Sequence, residues 1–408
     1  MTRRIAIAGA GHAAGQLVTS LRQYRYDGEI VLVGDEPYLP YQRPPLSKKY
    51  LAGDMPAERL YVKPESFYEQ AGVELHLDTR IEAIDRDEHC LCIAGGERIA
   101  YDKLVLAVGS RVRRLTVDGV ALPGVHYLRS IGDVDGIREG LDSGHRIVVI
   151  GAGYIGLEVA AVARQAGLDV TVIELADRVM SRVVSPELSD FYQIEHTNHG
   201  VKLRLSTGIQ SINGKRRVKS VTTSEGEVIP ADLVVIGVGI VPNTELASAA
   251  GLDVEDGIVV DDHCRTSDAD IYAVGDCTLH PNDIYGRDLR LESVHNALEQ
   301  AKTAAANLCG KDVAYSEVPW FWSDQYDLKL QIAGLSEGYD EVVIRGNPAE
   351  RSFSCLYLRD SRLIAIDAIN APRDFVQSKA IIATGEPVET ECLADPETQL
   401  KDLASASR

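Results

Sequence analysis

The chain has 408 residues, of which 45% are hydrophobic and 25% are charged. This balance is typical of a globular protein with room for two or three domains. The formal net charge of −19 argues against a nucleic-acid partner, because nucleic-acid binding requires a basic surface. The sequence has no run of about 18 apolar residues and no signal-peptide segment near its start, so we expect no membrane span and a cytoplasmic location.

The first apolar stretch of the chain leads into a glycine-rich turn that is typical of dinucleotide binding. Gly9 permits a tight turn, and Gly11 lets the backbone approach a pyrophosphate. A small residue, Ala13 or Ala14, keeps the following helix close to the strand. The start of that helix points N–H groups at the phosphates. Asp35, 26 residues after Gly9, ends the next predicted strand, where its carboxylate can accept hydrogen bonds from ribose hydroxyls.

A second apolar stretch, at 146–150, leads into the same kind of turn. Its glycines are Gly151, Gly153 and Gly156. Glu174 follows 23 residues after Gly151, again at the end of a predicted strand. A carboxylate at this place favours free ribose hydroxyls and repels a 2′-phosphate, so we expect NADH rather than NADPH.

Apolar strands that alternate with helices predict an α/β fold with parallel sheets covered on both faces. Two further buried-strand patterns, at 104–109 and 233–239, each end in glycine. From Pro319 onward, strand-like runs broken by Gly, Asn and Asp predict an antiparallel sheet. The sequence therefore predicts two Rossmann-like dinucleotide-binding domains and a C-terminal α+β domain with an antiparallel sheet.

Thr266–Asp276 resembles the second FAD motif of flavoproteins with two dinucleotide-binding domains, where the aspartate, here Asp276, bonds the ribityl chain. Leu106–Gly109 resembles their domain-crossing segment, and Gly237–Asn243 resembles their return crossing. The resemblance implies that the first turn binds FAD and the second binds NADH. We accordingly expect an FAD domain at 1–112 and 243–318, an NADH domain at 113–242, a C-terminal domain at 319–403 and a polar tail at 404–408.

The chain has seven cysteines, but none has the spacing of a redox-active pair, and the segment 37–48 after the second strand contains none. Electrons are therefore expected to leave the flavin for a partner outside the protein. Arg43–Lys48 resembles the flavin-side segment of the NADH-dependent ferredoxin reductases of bacterial oxygenase systems. Further segments resemble the same family: Tyr127–Ser130, Glu292–Ala301 and Pro319–Gln325. His295 departs from the proline of some relatives, which leaves the local loop open.

This resemblance also implies which residues lie beside each nucleotide. The expected FAD residues are Gly9, Gly11, Ala13, Ala14, Asp35, Arg43, Pro45, Lys48, Ile81, Ala107, Gly109, Arg129, Gly275, Asp276, Val294 and Trp320. The expected NADH residues are Gly151, Gly153, Tyr154, Ile155, Gly156, Glu158, Glu174 and Gly239. Hydride transfer needs alignment more than acid–base help, so no general base is assigned. Lys48 is the candidate that stabilises the reduced flavin, and Glu158 is either a nicotinamide-side residue or a carboxylate that complements its helix N-terminus.

The resemblance implies an enzyme that passes electrons from NADH through FAD, one at a time, to a [2Fe–2S] ferredoxin serving a cytochrome P450 or a Rieske oxygenase. Such ferredoxins are usually acidic, so we expect a local basic patch to steer transient docking. The candidates are Arg287, Arg290, Lys302 and Lys329. We expect a monomer or weak homodimer, with no bound metal and no nucleic-acid or membrane partner. Two alternatives stay open: a rubredoxin reductase, and a redox-responsive binding protein similar to apoptosis-inducing factors, which the acidic chain disfavours.

Overall fold

The computed structural model describes residues 3–405, and the chain divides into two compact units. Unit 1 contains the chain through Arg43 together with Ala57–Arg111 and Val241–Pro319. Unit 2 contains Pro44–Pro56, Val112–Ile240 and the chain from Trp320 onward. The expected NADH-binding and C-terminal segments thus share one unit, which also includes residues 44–56 of the expected first domain. Of the expected tail, residues 406–408 lie outside the described residues.

Unit 1 is built on a parallel sheet whose central strands are almost entirely buried. Its five strands, in spatial order, are Ile271–Ala273, Lys103–Leu106, Arg4–Ala8, Glu29–Val33 and Val73–His76. Neighbouring side chains of the central strand enter opposite cores, Ile7 on one face and Ala8 on the other. Helices His12–Gln23 and Val294–Leu308 pack against each other on the Ile7 face. Because both faces are covered, the strands are continuously apolar, as the sequence predicts.

Smaller elements complete unit 1. An antiparallel sheet covers the Ala8 face and consists of Ile81–Asp85, Cys90–Ile93 and Arg98–Ala100. A second three-stranded sheet consists of Ile258–Val259, Thr278–Asn282 and Arg287–Leu289. The short helices are Glu65–Gln70, Glu245–Ala249 and the 3-10 turn Ala57–Arg59.

Unit 2 repeats the parallel plan. Its five-stranded sheet has the order Lys202–Arg204, Asp169–Ile173, Arg146–Ile150, Leu233–Ile236 and Val125–Tyr127. The helices of this part are Ile131–Ser143, Tyr154–Gln165 and Pro186–Asn198, and a small antiparallel sheet consists of Ile209–Gly214, Val218–Thr223 and Val228–Pro230. The 3-10 turn Pro44–Ser47 packs against Tyr154–Gln165, which explains why residues 44–56 group with this unit.

The rest of unit 2 is the antiparallel sheet that the sequence predicts. Its strands have the order Trp320–Gln325, Leu328–Gly334, Arg362–Ile369, Ser352–Arg359 and Glu341–Asn347. Helix Pro372–Thr384 packs on this sheet. The remaining elements of unit 2 are the helices Thr390–Ala394 and Leu400–Ser405 and the 3-10 turn Pro348–Glu350. The short strands Ser110–Val112 and Ile240–Pro242 each contain a boundary between the two units. The predicted fold class, α/β with a C-terminal antiparallel sheet, is confirmed.

Between residues 3 and 405, no helix is long and apolar enough to cross a membrane. The longest helix described there, Val294–Leu308, has 15 residues. At 1.5 Å per residue, a helix of that length falls short of the roughly 30 Å hydrocarbon core of a bilayer.

Candidate functional site

Gly9 closes the first glycine turn where the chain approaches the neighbouring strand. Its φ of +109° lies in a region that L side chains rarely adopt, and a Cβ atom here would overlap the carbonyl group of Ala107. The Gly9 amide donates a hydrogen bond to the Val33 carbonyl at 2.7 Å, which fixes the turn at the carboxyl ends of two strands. The fold itself therefore requires glycine at this position.

Gly11 has the opposite surroundings. Apart from its chain neighbours, no described atom lies within 4 Å of the place that its Cβ would occupy. Gly11 precedes helix His12–Gln23, whose first turn has no side-chain cap and no acidic residue. Ala14 is fully buried and holds this helix against the sheet. Open space over an uncapped helix N-terminus fits an anionic group such as a pyrophosphate.

Asp35 places an accessible carboxylate beside this turn. It is exposed, two residues beyond the end of strand Glu29–Val33. Its neighbour Glu36 is occupied, because one carboxylate oxygen binds the Arg43 guanidinium at 2.7 Å and the other accepts the Tyr41 hydroxyl at 2.6 Å. Asp35 is therefore the carboxylate that remains accessible to a ribose.

The segment around Asp276 carries buried polar atoms that the protein does not satisfy. The Gly275 amide donates to Gln300 Oε1 at 2.7 Å, and Asp276 accepts the Ser110 hydroxyl at 2.8 Å. Gln300 Nε2 and Asn296 Oδ1 are buried with no hydrogen-bond partner among the described residues. Leaving a buried polar atom unsatisfied costs about 1–3 kcal/mol, so these atoms fit a polar ligand at this end of the sheet.

Unit 1 holds most of the predicted FAD residues. They are Gly9, Gly11, Ala13, Ala14, Asp35, Arg43, Ile81, Ala107, Gly109, Gly275, Asp276 and Val294. Ile81 begins an antiparallel strand, and Val294 begins the long helix after its cap residue Ser293. The other four, Pro45, Lys48, Arg129 and Trp320, lie in unit 2.

The second glycine turn reproduces the first. Gly151 has φ +102°, and a Cβ there would overlap the carbonyl group of Gly237. Apart from its chain neighbours, no described atom lies within 4 Å of a Cβ placed on Gly153, which precedes the uncapped helix Tyr154–Gln165. A Cβ on Gly156 would overlap the carbonyl of Gly151, so glycine is required there for close helix packing. This second open helix N-terminus lies at the turn for which the sequence predicts NADH binding, and that role stays a prediction.

Glu174 lies directly after strand Asp169–Ile173 and faces the turn. One of its carboxylate oxygens accepts the Ala152 amide at 2.7 Å, and the other accepts the Ala176 amide at 2.9 Å. Two apolar side chains near this turn are exposed: Leu175, which follows Glu174, is 77% exposed, and Ile155, in the first turn of the helix, is 42% exposed. All eight predicted NADH residues lie in unit 2, including Gly239 with its φ of +96°.

Glu158 is a buried carboxylate, 3% exposed, on the helix that follows the second turn. Its Oε2 binds Lys48 Nζ at 2.9 Å and also accepts the Ser47 hydroxyl. Its Oε1 accepts the Ser323 hydroxyl at 2.6 Å. The contacts of Ser47 and Ser323 with Glu158 could not be predicted from the sequence, because no spacing signal links positions so far apart in the chain. The pairing of Lys48 with Glu158 joins the two predicted candidates in one cluster.

Trp320 belongs to an aromatic cluster in unit 2. Its ring lies 5.4 Å from Trp322 and 5.8 Å from Phe375, centre to centre. The Lys379 ammonium lies 4.8 Å from the Trp320 ring centre, within cation–π range. Arg129 lies just before helix Ile131–Ser143, where its amide donates to the Asp133 carboxylate at 3.0 Å.

The predicted docking cations differ in side-chain exposure and in the carboxylates that they contact. Arg290 is only 16% exposed and binds Asp256 at 3.1 Å and Glu292 at 2.5 Å. Lys302 is 44% exposed and pairs with Glu299 on its own helix at 2.5 Å. Arg287 is exposed in unit 1, and Lys329 is exposed in unit 2.

One cluster has the residue types of a metal site. Ligand atoms of Asp261, Asp262 and His263 lie within 4.8 Å of one another. However, the two His263 ring nitrogens bind the carboxylates of Asp262 and Asp312, and these hydrogen bonds raise the pKa of His263. A protonated histidine between carboxylates accounts for this cluster as an ion-pair network.

Two equivalent glycine turns of this kind on parallel sheets are typical of proteins that bind two dinucleotides. Residues 3–301 match the pyridine nucleotide-disulphide oxidoreductase family, and residues 320–404 match the reductase C-terminal family. The chain belongs to the pyridine nucleotide-disulphide oxidoreductase family.

Three known proteins illustrate the match. The 5,5'-dehydrodivanillate O-demethylase ferredoxin reductase subunit of Sphingobium sp. is 44% identical over 98% of both chains. The rubredoxin-NAD(+) reductase of Pseudomonas putida is 42% identical over 90% of this chain and 96% of that protein. The crystal structure of the covalent putidaredoxin reductase–putidaredoxin complex has a TM-score of 0.96 at 43% identity, covering 99% of this chain and 98% of that chain. These matches confirm the resemblance to ferredoxin reductases, and the cofactors are FAD and NAD(H).

Proposed function

We propose that this chain is an NADH-dependent reductase that delivers electrons singly to a [2Fe–2S] ferredoxin of a P450 or Rieske oxygenase system. The observation that carries the proposal is the pair of matching turns. Each has a tightly packed first glycine, an open second glycine and a carboxylate after the next strand. The Sphingobium relative, which is named as a ferredoxin reductase subunit, supports a ferredoxin as acceptor.

The cysteines support an acceptor outside the chain. All seven are free thiols. Cys277, next to Asp276, is fully buried, and burial raises the pKa of its thiol to about 12. Because the thiolate is the reactive form, this cysteine is a poor redox group. The solved complex of a similar reductase with putidaredoxin supports electron transfer to a docked protein.

Bound FAD supplies the chemistry that connects a two-electron donor to one-electron acceptors. The chain contributes binding and alignment. The turns at Gly11 and Gly153 would hold the two pyrophosphates, and Asp35 and Glu174 would hold the riboses. Lys48 would stabilise negative charge on the reduced flavin, while its ion pair with Glu158 fixes its position.

The preference for NADH is tested at Glu174. The negative charge repels a 2′-phosphate, so kcat/KM with NADH should exceed that with NADPH. Glu174→Gln keeps an acceptor for one of the two loop amides and removes the charge, and the NADH/NADPH ratio should fall about tenfold or more, equivalent to about 1.4 kcal/mol. Glu225→Gln, at an exposed turn of the same unit, should leave the ratio unchanged. A wild-type protein that prefers NADPH contradicts the assignment.

The acceptor is tested by steady-state reduction of cytochrome c with NADH, supplied through either a [2Fe–2S] ferredoxin or a rubredoxin. The proposal expects faster transfer through the ferredoxin. Faster transfer through the rubredoxin would favour the alternative, which the rubredoxin-NAD(+) reductase of P. putida supports. Slow turnover with both carriers, together with NADH-dependent changes in partner binding, would favour a redox-responsive binding protein. The cytoplasmic location and the monomeric or weakly dimeric state stay predictions from the sequence.

A further inference from the structure

The Glu158 carboxylate is the inner end of a longer hydrogen-bond chain. Beyond Ser323, the next link is Gln325, whose Nε2 donates to Ser323 Oγ at 3.2 Å. Gln325 Oε1 lies 2.8 Å from His196 Nε2, and His196 Nδ1 lies 3.2 Å from the Tyr326 hydroxyl. All five side chains belong to unit 2. The chain thus runs from a buried carboxylate to a half-buried tyrosine.

The middle of this chain is closed to water. Ser323 and His196 are 0% exposed, and Gln325 is 1% exposed. Ser323 and Gln325 are two residues apart on strand Trp320–Gln325, so their side chains share one face. His196 reaches them from helix Pro186–Asn198.

The Glu158 carboxylate, which pairs with Lys48, dictates the direction of every hydrogen bond in this hydrogen-bond chain. A carboxylate only accepts, so Ser323 must donate to it and must accept from the Gln325 amide nitrogen. The Gln325 carbonyl oxygen then faces His196, which must carry its proton on Nε2. His196 Nδ1 is left as an acceptor, and the Tyr326 hydroxyl donates to it. Every donor therefore points toward Glu158.

The ionisable groups around the chain agree with this direction. Burial lowers the pKa of His196 to about 4, so the ring is neutral at pH 7. Among the described residues, ionisable groups that interact with Glu158 include Lys48, Tyr154 and Tyr192. Burial raises the pKa of both tyrosines well above the ordinary value, and Lys48 forms the ion pair with Glu158.

Tyr326 occupies a backbone conformation that is costly for its residue type. Its φ is +56°, in the turn between strands Trp320–Gln325 and Leu328–Gly334. A non-glycine residue there is strained, because its Cβ crowds the backbone. At this strained position the tyrosine hydroxyl contacts His196, and the ring stacks on His199 with 3.7 Å between the ring centres.

We infer that Ser323, Gln325, His196 and Tyr326 form a positioning chain that holds the Glu158 carboxylate in a fixed orientation toward Lys48. The inference rests on the proposed function, in which Lys48 lies beside the flavin. Without this hydrogen-bond chain, Glu158 would lose the donor Ser323, and Lys48 would lose a partner held in a fixed orientation. The four residues act through Glu158, so alignment for hydride transfer should suffer while NADH binding does not.

The first test reads the direction of the chain without any turnover. In the FAD-loaded protein with ¹⁵N-labelled histidine, the His196 signal is identified by its loss in His196→Gln. The expected tautomer carries its proton on Nε2 from pH 6 to pH 8. A proton on Nδ1, or a protonated ring at pH 7, overturns the inference.

The second test measures anaerobic reduction of bound FAD by NADH in a stopped-flow instrument. Ser323→Ala should lower the limiting rate about tenfold with an unchanged dissociation constant for NADH, and Ser323→Thr should restore the rate because it keeps the hydroxyl. Tyr326→Phe, further from Glu158, should have a smaller effect. An unchanged rate in Ser323→Ala, or a larger loss in Tyr326→Phe, overturns the inference.

The matched control is Ser354→Ala, which also removes a fully buried hydroxyl of the same sheet, one that donates to Asp374 at 3.0 Å. Ser354→Ala should leave the limiting rate of flavin reduction unchanged. If it lowered that rate as much as Ser323→Ala does, the loss would reflect a general defect in packing and would overturn the inference. Flavin reduction needs no acceptor protein. Both tests therefore remain valid even if the protein does not reduce a ferredoxin.

Discussion

Asp367 links the stability of the C-terminal sheet to pH. It is 1% exposed and accepts the Tyr357 hydroxyl at 2.5 Å, while burial raises its carboxyl pKa to about 7. In the unfolded chain the pKa is about 3.9, so the folded state binds the proton more tightly. The stability that this proton contributes is greatest at low pH and is lost as pH rises through about 7. Asp367→Asn should therefore raise the melting temperature at pH 8 and change it less at pH 5.5.

Asp232 provides the control of opposite sign for this measurement. Its salt bridge with Arg146, at 2.8 Å, lowers its pKa to about 2. The stability that the Asp232 carboxylate contributes is lost only as pH falls from 3.8 toward about 2. Asp232→Asn should therefore lower the melting temperature similarly at pH 5.5 and at pH 8. A melting temperature of Asp367→Asn that stays below wild type at pH 8 would contradict the buried-proton account.

At the scale of the element, the two glycines of the first strand–turn–helix are expected to serve different purposes. Gly9 is needed for folding, and Gly11 is needed for cofactor binding. Gly9→Ala places a Cβ against the Ala107 carbonyl at a positive φ, and Gly11→Ala places one in open space at an ordinary φ. A strain of about 1–2 kcal/mol should lower the melting temperature of the FAD-free Gly9→Ala protein by about 2–8 °C. FAD-free Gly11→Ala should melt with the wild type but bind FAD at least about tenfold more weakly, because its methyl group fills the phosphate space.

Both quantities are measured on protein stripped of flavin: melting by circular dichroism and FAD affinity by fluorescence titration. The equivalent pair in unit 2, Gly151→Ala and Gly153→Ala, should behave alike toward NADH, because its surroundings match. Equal destabilisation of the two members of a pair would show that the open glycine also serves the fold.

The elements of the two turns could be predicted from the sequence because their signals are local. The helix that the sequence predicts directly after the first glycine turn is observed at His12–Gln23. The positioning chain gives no such signal. Glu158, His196 and Ser323 are ordinary helix and strand residues, and only the packing of three distant segments brings them together. The grouping of residues 44–56 with unit 2 likewise depends on packing, here against helix Tyr154–Gln165.

At the scale of the whole molecule, the net charge of −19 opposes an acidic ferredoxin. At physiological salt the Debye length is about 8 Å, so charges near the contact outweigh distant ones. Two of the predicted docking residues, Arg290 and Lys302, both pair with carboxylates but differ in accessibility. Arg290 is largely buried between Asp256 and Glu292, and its charge is locally balanced. Lys302, on the exposed side of its helix, is the better candidate for steering.

Charge reversal at Lys302 tests this ranking. Lys302→Glu places like charges at positions 299 and 302 and removes an attractive charge, so kcat/KM for ferredoxin should fall about threefold or more at low salt, with a smaller loss at high salt. NADH–ferricyanide activity should persist, because the small acceptor needs no docking. Lys202→Glu is the matched control, since Lys202 is also an exposed lysine paired with a carboxylate, that of Asp169 at 2.8 Å. Equal loss of both activities in Lys302→Glu would show a general defect of the enzyme rather than an effect on docking. An equal loss of ferredoxin reduction in Lys202→Glu would show that net charge rather than a local patch governs docking.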